Sequence, residues 1–208
     1  MAALTLNLNS IANLSRSQFR QIAIDNPDMK LERNKAGNLI IMAPTGGETG
    51  SFNSDLNGQL YVWNRTNRAG KLFDSSTGFE LPAGGDRSPD VAWITIAKWE
   101  ALTPEERRGF LPLCPDFVVE LMSRSDSWVQ TQRLAPVGFP DAKSETRQAK
   151  MVEYMESGCS LGWLLDPKGK RAAIYRQGKP PELLTAPESL SGEDVLPEFV
   201  LDARFLWS

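Results

Sequence analysis

The stretch Pro115-Asp116-Phe117-Val118-Val119-Glu120-Leu121 decides the fold class. Its centre is apolar and β-branched, with Pro115-Asp116 before it and Ser123 after it, so residues 117–121 read as a buried strand. One charge, Glu120, stands in the middle of that apolar run. A carboxylate there costs several kcal/mol unless it is paired or bound to a metal.

Outward from this strand, helical and extended patterns alternate. Ser15 or Ser17 can cap a short helix carrying Phe19, Ile22 and Ala23, which Asn26-Pro27 ends. Residues 29–33 and 39–42 flank Asn34-Lys35-Ala36-Gly37-Asn38 and read as a hairpin. The loop Pro44-Thr45-Gly46-Gly47-Glu48-Thr49-Gly50 leads into a second helix over residues 51–68, with Leu56, Leu60 and Trp63 on one face. Short strands are expected at 71–73, 79–81 and 91–94, separated by turns such as Ala83-Gly84-Gly85-Asp86. A helix is expected after Thr103, where Thr103 and Glu106 form a capping box. A further helix over 142–157 ends near Gly158, and two strands follow at 161–165 and 172–175. Strands that come both in hairpins and separated by helices predict an α/β fold, a mixed sheet flanked by helices.

Composition narrows the chemistry. A chain of 208 residues with 41% hydrophobic residues fits a single domain over residues 1–208, with 1–14 and the proline-rich 177–208 as peripheral segments. A net charge of -3 and an isoelectric point near 5.2 give no global basic signature, so nucleic-acid contact would come from local patches or a bound metal. There is no histidine, which rules out Ser-His-Asp and Cys-His nucleophiles, His-metal nucleases and H-E-x-x-H sites. Cys114 and Cys159 lack a C-x-x-C neighbour and read as packed thiols in a reducing compartment. The first ten residues have no basic region followed by a long apolar stretch, and no run of about 18 apolar residues occurs. A cytoplasmic location without a membrane span is therefore expected.

Asp90 is the second acid in unusual surroundings: it follows Ser88-Pro89 and opens the apolar run Val91-Ala92-Trp93-Ile94. Read from their neighbours alone, Asp90 and Glu120 fit either buried salt bridges, solvated strand ends or a metal site. Gly46-Gly47 and Gly84-Gly85 match no nucleotide-binding fingerprint, which leaves a small-molecule enzyme without support.

The segments Phe73-Asp74-Ser75-Ser76-Thr77-Gly78-Phe79, Arg87-Ser88-Pro89-Asp90, Pro115 to Leu121 as quoted, Lys150-Met151-Val152-Glu153-Tyr154 and Gly162-Trp163-Leu164-Leu165-Asp166-Pro167 occur in a telling order. Over residues 19–175 the chain resembles the Uma-type family of restriction endonucleases, within the PD-(D/E)xK nuclease superfamily. The resemblance implies a restriction-endonuclease-like mixed sheet flanked by helices, with an added N-terminal β-hairpin and helix. It implies a Mg²⁺-dependent endonuclease, with Mn²⁺ as substitute, that hydrolyses DNA phosphodiester bonds and works as a homodimer. By that resemblance Asp90 is the Asp of the Pro-Asp motif and Glu120 the Glu of the second strand, together the metal ligands. The lysine usual two residues later is replaced by Met122, and its role passes to Lys150 on the following helix. Gln148 is expected to face the cleft and Glu48 to supply an extra acid.

Arg65, Arg68 and Lys71, and then Arg124, Arg133, Lys143 and Arg147, are candidate phosphate contacts, set against the ordinary reading of solvated charges. Trp128 could stack on a base, whereas Trp63, Trp93 and Trp163 lie in core patterns. Residues 128–141 read as a loop insertion beside the site, which either directs recognition or obstructs the cleft. The alternative function is a non-catalytic DNA-binding or oligomeric interaction module that keeps the nuclease fold. The hydrolytic reading requires the two acids to converge with an ammonium group beside them; oxygens that point apart, or that are each held by a guanidinium, argue against it.

Overall fold

The computed structural model describes residues 4–6, 13–124, 126, 128 and 146–208. Strand β1 (Leu4–Leu6) is followed by helix α1 (Arg16–Asp25), where Ser15 and Gln18 form a reciprocal capping box. Strands β2 (Leu31–Arg33) and β3 (Leu39–Ile41) make the expected hairpin. In its loop, Asn34 accepts the amides of Ala36 and Asn38, and Gly37 takes a positive φ of 83°.

Helix α2 (Gly47–Asn67) starts four residues before the predicted boundary, because the glycine-containing loop supplies the first turn rather than preceding it. Then come β4 (Gly70–Asp74), β5 (Phe79–Glu80), β6 (Asp86–Arg87) and β7 (Val91–Thr95). Helix α3 (Ile96–Ala101) was not expected; the Thr95 hydroxyl caps it. The Thr103–Glu106 capping contacts do form, at 2.8 and 3.2 Å, but they close only a 3₁₀ turn, Glu106–Arg108. Strand β8 (Phe117–Leu121), β9 (Leu161–Asp166) and β10 (Arg171–Arg176) agree with the sequence pattern, while helix α4 (Arg147–Glu156) is capped by Thr146 and starts five residues after the expected boundary at 142, with 142–145 outside the described residues.

The tail differs from its expected peripheral role. It forms β11 (Glu182–Thr185), β12 (Ser189–Ser191), β13 (Val200–Asp202) and a last 3₁₀ turn, Arg204–Trp207. Leu190, Leu196, Phe199, Leu201, Leu206 and Trp207 are buried against α2 and the sheet. Apolar residues scattered among prolines carry no periodicity, so their burial could not be read from spacing.

The large sheet has the order β11-β10-β9-β8-β7-β4, antiparallel except for the β8–β9 pair, with α4 on the connection between those two. A second sheet, β1-β3-β2-β6-β5, holds the N-terminal hairpin. Alternation along β8 divides two cores. Phe117, Val119 and Leu121 face α2 and the tail, while Val118 faces the cluster that includes Met151 and Tyr154 of α4. Glu120 shares the face of Val118 and so meets α4. Trp93 and Trp163 are core residues as expected, and both cysteines are free and buried. Among the described residues no helix is long and apolar enough to cross a membrane.

Candidate functional site

Register delivers the two acids to one place. Val91 pairs with Val119 in the antiparallel β7–β8 ladder, so Asp90, one residue before β7, falls opposite Glu120. Asp90 Oδ2 accepts the Leu121 amide at 2.8 Å, which fixes that carboxyl against β8. Glu120 is fully buried; its Oε1 lies 2.7 Å from Lys150 Nζ and accepts the Tyr154 hydroxyl at 2.9 Å. Asp90, Glu120 and Lys150 are thus brought together.

Lys150 also donates to Glu32 Oε1, at 2.7 Å. Glu32, from β2, was not singled out in the sequence. It is buried, takes the Ser88 amide at 2.9 Å on Oε1, and receives Arg87 Nη1 at 3.2 Å on Oε2. Burial alone would raise the Glu32 carboxyl, but the charges of Lys150 and Arg87 and the two donors to Oε1 outweigh it and hold it at about 2. The same carboxylates keep Lys150 protonated: burial pulls its pKa down, Glu120 and Glu32 push it up more, and it ends above the usual lysine value. Burial and the neighbouring Glu120 charge push Tyr154 well above a normal phenol, so it remains a donor. Arg87, fully buried, also pairs with Glu153 of α4. A methyl group on Gly85 would lie 1.7 Å from Glu153 Oε1, so only glycine leaves this carboxylate its place.

Arg147, the first residue of α4, closes the site on its outer side. Its Nη1 pairs with Glu120 Oε2 and lies 3.8 Å from Asp90 Oδ2, while Nε lies 3.5 Å from Asp126 Oδ2. Burial opposes its charge, yet the Glu120, Asp90 and Asp126 carboxylates raise its pKa above the ordinary arginine value. The acids therefore converge as the hydrolytic reading requires, but they do so on a guanidinium.

The other expected residues are placed differently. Glu48, in the first turn of α2, is exposed and bound through both oxygens by Arg124, at 2.9 and 3.1 Å, instead of joining Asp90 and Glu120. Gln148 lies half-buried in the first turn of α4, between Arg147 and Lys150. Of the expected phosphate contacts, Lys71 lies over the Trp99 ring and Arg65 donates to the Tyr61 hydroxyl; Arg133 and Lys143 fall outside the described residues, as does 129–141 of the expected insertion. Trp128 is covered by Arg171, whose guanidinium carbon sits 4.2 Å from the ring centroid.

Among the described residues no group of three or more His, Cys, Asp or Glu side chains is arranged to hold a metal ion. A pair of carboxylates suits Mg²⁺ nonetheless, since that ion keeps several waters and takes few protein ligands. The position between Asp90 and Glu120 already holds a positive nitrogen, and its donors are hard oxygens, so the residues present fit such an ion. A cluster this costly to bury is weak evidence for stability and better evidence for a positioned functional group.

Comparison with known proteins agrees in outline. A model of the Uma2 family, described as "Putative restriction endonuclease", matches residues 16–204. A crystal structure of "a putative nuclease belonging to DUF820" from Anabaena variabilis ATCC 29413 is similar, with a TM-score of 0.65 and 18% sequence identity, covering 85% of this chain and 89% of that one. No curated protein matches the chain.

Proposed function

We propose, for a chain that belongs to the Uma2 family of restriction-endonuclease-like proteins, a Mg²⁺-dependent endonuclease acting on DNA phosphodiester bonds. The observation that carries the reading is the convergence of Asp90 and Glu120 with Lys150 Nζ, 2.7 Å from Glu120. Asp90 and Glu120 would hold the ion, which polarises a phosphate oxygen and acidifies an attacking water when bound. Lys150, kept protonated by two carboxylates, acts as a fixed positive charge beside the reacting phosphate rather than as a base. Glu32 and Tyr154 position it and Glu120, so the charges need little reorganisation as the reaction proceeds.

DNA is the natural substrate of a restriction-type site, and cutting both strands favours a two-fold homodimer. The buried free thiols suit a reducing cytoplasm. The test is plasmid nicking with Mg²⁺ or Mn²⁺, expected in the native protein and absent from Asp90→Ala; nicking that survives the substitution dismisses this site. Arg147 between the carboxylates favours a second reading, a DNA-binding or interaction module without catalysis. Retained DNA binding with no cleavage of varied DNA and RNA would select it.

A further inference from the structure

The carboxylates around α4 exceed the cations they meet. Among the described residues, Glu32, Asp90, Glu120, Asp126 and Glu153 face Arg87, Arg147 and Lys150, an excess of two formal negative charges. These cations are not held alike. Arg87 is fully buried and Lys150 nearly so, each between carboxylates of different elements, so neither can leave without opening the core. Arg147 is the first residue of its helix, its side chain 17% exposed, and among the described residues it pairs with the acids of the proposed ion site and with Asp126 at its rim. The start of the helix does not depend on that side chain, because Thr146 caps it by its own hydroxyl.

We propose that Arg147 is an internal competitor for the divalent ion: guanidinium and metal use one position between Asp90 and Glu120, and the ion enters only as Arg147 leaves. This rests on the metal-dependent reading above and adds a regulation to it. Two like charges cannot share that position, because each would lie about 4 Å or less from the other, where like charges repel strongly even near a protein surface. Replacing one positive charge by two also lowers the excess of negative charge in the cluster. In the metal-free protein Arg147 keeps the acids apart from solvent and correctly aimed; with metal present it is released to the mouth of the site.

The probe is Mn²⁺, titrated into native protein, Arg147→Gln, and the double variant Arg147→Gln/Asp90→Asn, with free Mn²⁺ read by electron paramagnetic resonance at constant pH and salt. Arg147→Gln is expected to bind at least about tenfold more tightly than the native chain, and the double variant to lose that gain. Equal affinity of native and Arg147→Gln proteins overturns the competition while leaving the metal-dependent reading intact. No Mn²⁺ bound by either removes both. A second measurement uses only the native sequence: the Arg147 Nε–H resonance, assigned by its absence from Arg147→Lys, should be lost or moved to the position of a free arginine on saturation with Mg²⁺. A resonance unchanged in the saturated protein overturns the proposal even if Arg147→Gln fails to fold.

Discussion

Lys150 Nζ stands 2.7 Å from Glu120 Oε1, so helix α4 delivers its ammonium to the acid that β8 carries in mid-strand. A lysine two residues beyond Glu120 would alternate onto the same face of the strand; Met122 is there instead, and the helix packed on that face supplies the charge. Substitution Lys150→Met removes the charge while keeping the length of the side chain. It should cost about 3 kcal/mol, because Glu120 and Glu32 each lose a buried partner but retain others. Metal-dependent nicking should fall at least about a hundredfold. Urea denaturation and single-turnover cleavage measure the two effects; unchanged cleavage in a folded variant would remove Lys150 from the reaction.

Acid should unfold the protein partly through Glu32. Its carboxyl is depressed in the folded chain from its ordinary 4.5 to about 2, so the stability it contributes is present above 4.5 and is lost as the pH falls toward 2. Glu32→Gln should flatten the stability curve in that window. Denaturation midpoints collected at steps between pH 5 and pH 2, about the span of the shift, check this, and parallel curves for the two proteins would contradict it.

The phenol of Tyr154 separates positioning from charge. Tyr154→Phe leaves the ring in the core and deletes the donor to Glu120 Oε1, which Lys150 still contacts. The expected loss is about 1 kcal/mol of stability, typical of one hydrogen bond to a carboxylate that keeps other partners. Cleavage should drop a few-fold through the chemical step, with DNA affinity unchanged in a gel-shift titration. A fall in affinity alone would place Tyr154 in substrate binding instead.

How far the sequence reached can be judged residue by residue. Glu120 was legible because an acid inside Phe117-Val118-Val119 contradicts its neighbours, and Asp90 because it opens a comparable run. Lys150 came only with the family resemblance, since a lysine on a helix has nothing unusual beside it. Glu32 was not legible: Leu31-Glu32-Arg33 looks like a half-exposed strand, and what buries the acid is Lys150, 118 residues away. Arg147 was noted as a basic residue near the site, but its seat between two acids depends on how α4 meets the β7–β8 ladder. Glu48 had the right chemistry in the wrong place, because Arg124 holds it at the surface. Helix α3 and strand β6 were missed for a simpler reason, being too short to show a period.

Lys150 takes one carboxylate from each of the two sheets, Glu32 from the hairpin sheet and Glu120 from the large one. The ammonium is therefore a keystone whose seating reports whether the hairpin is docked. If the hairpin peels away under mild denaturant, slow-exchanging amides of β8 and β9 can stay protected while the keystone loses half its footing. Catalytic competence would then vanish ahead of the global transition, making the hairpin a fuse for the site rather than an ornament on the fold.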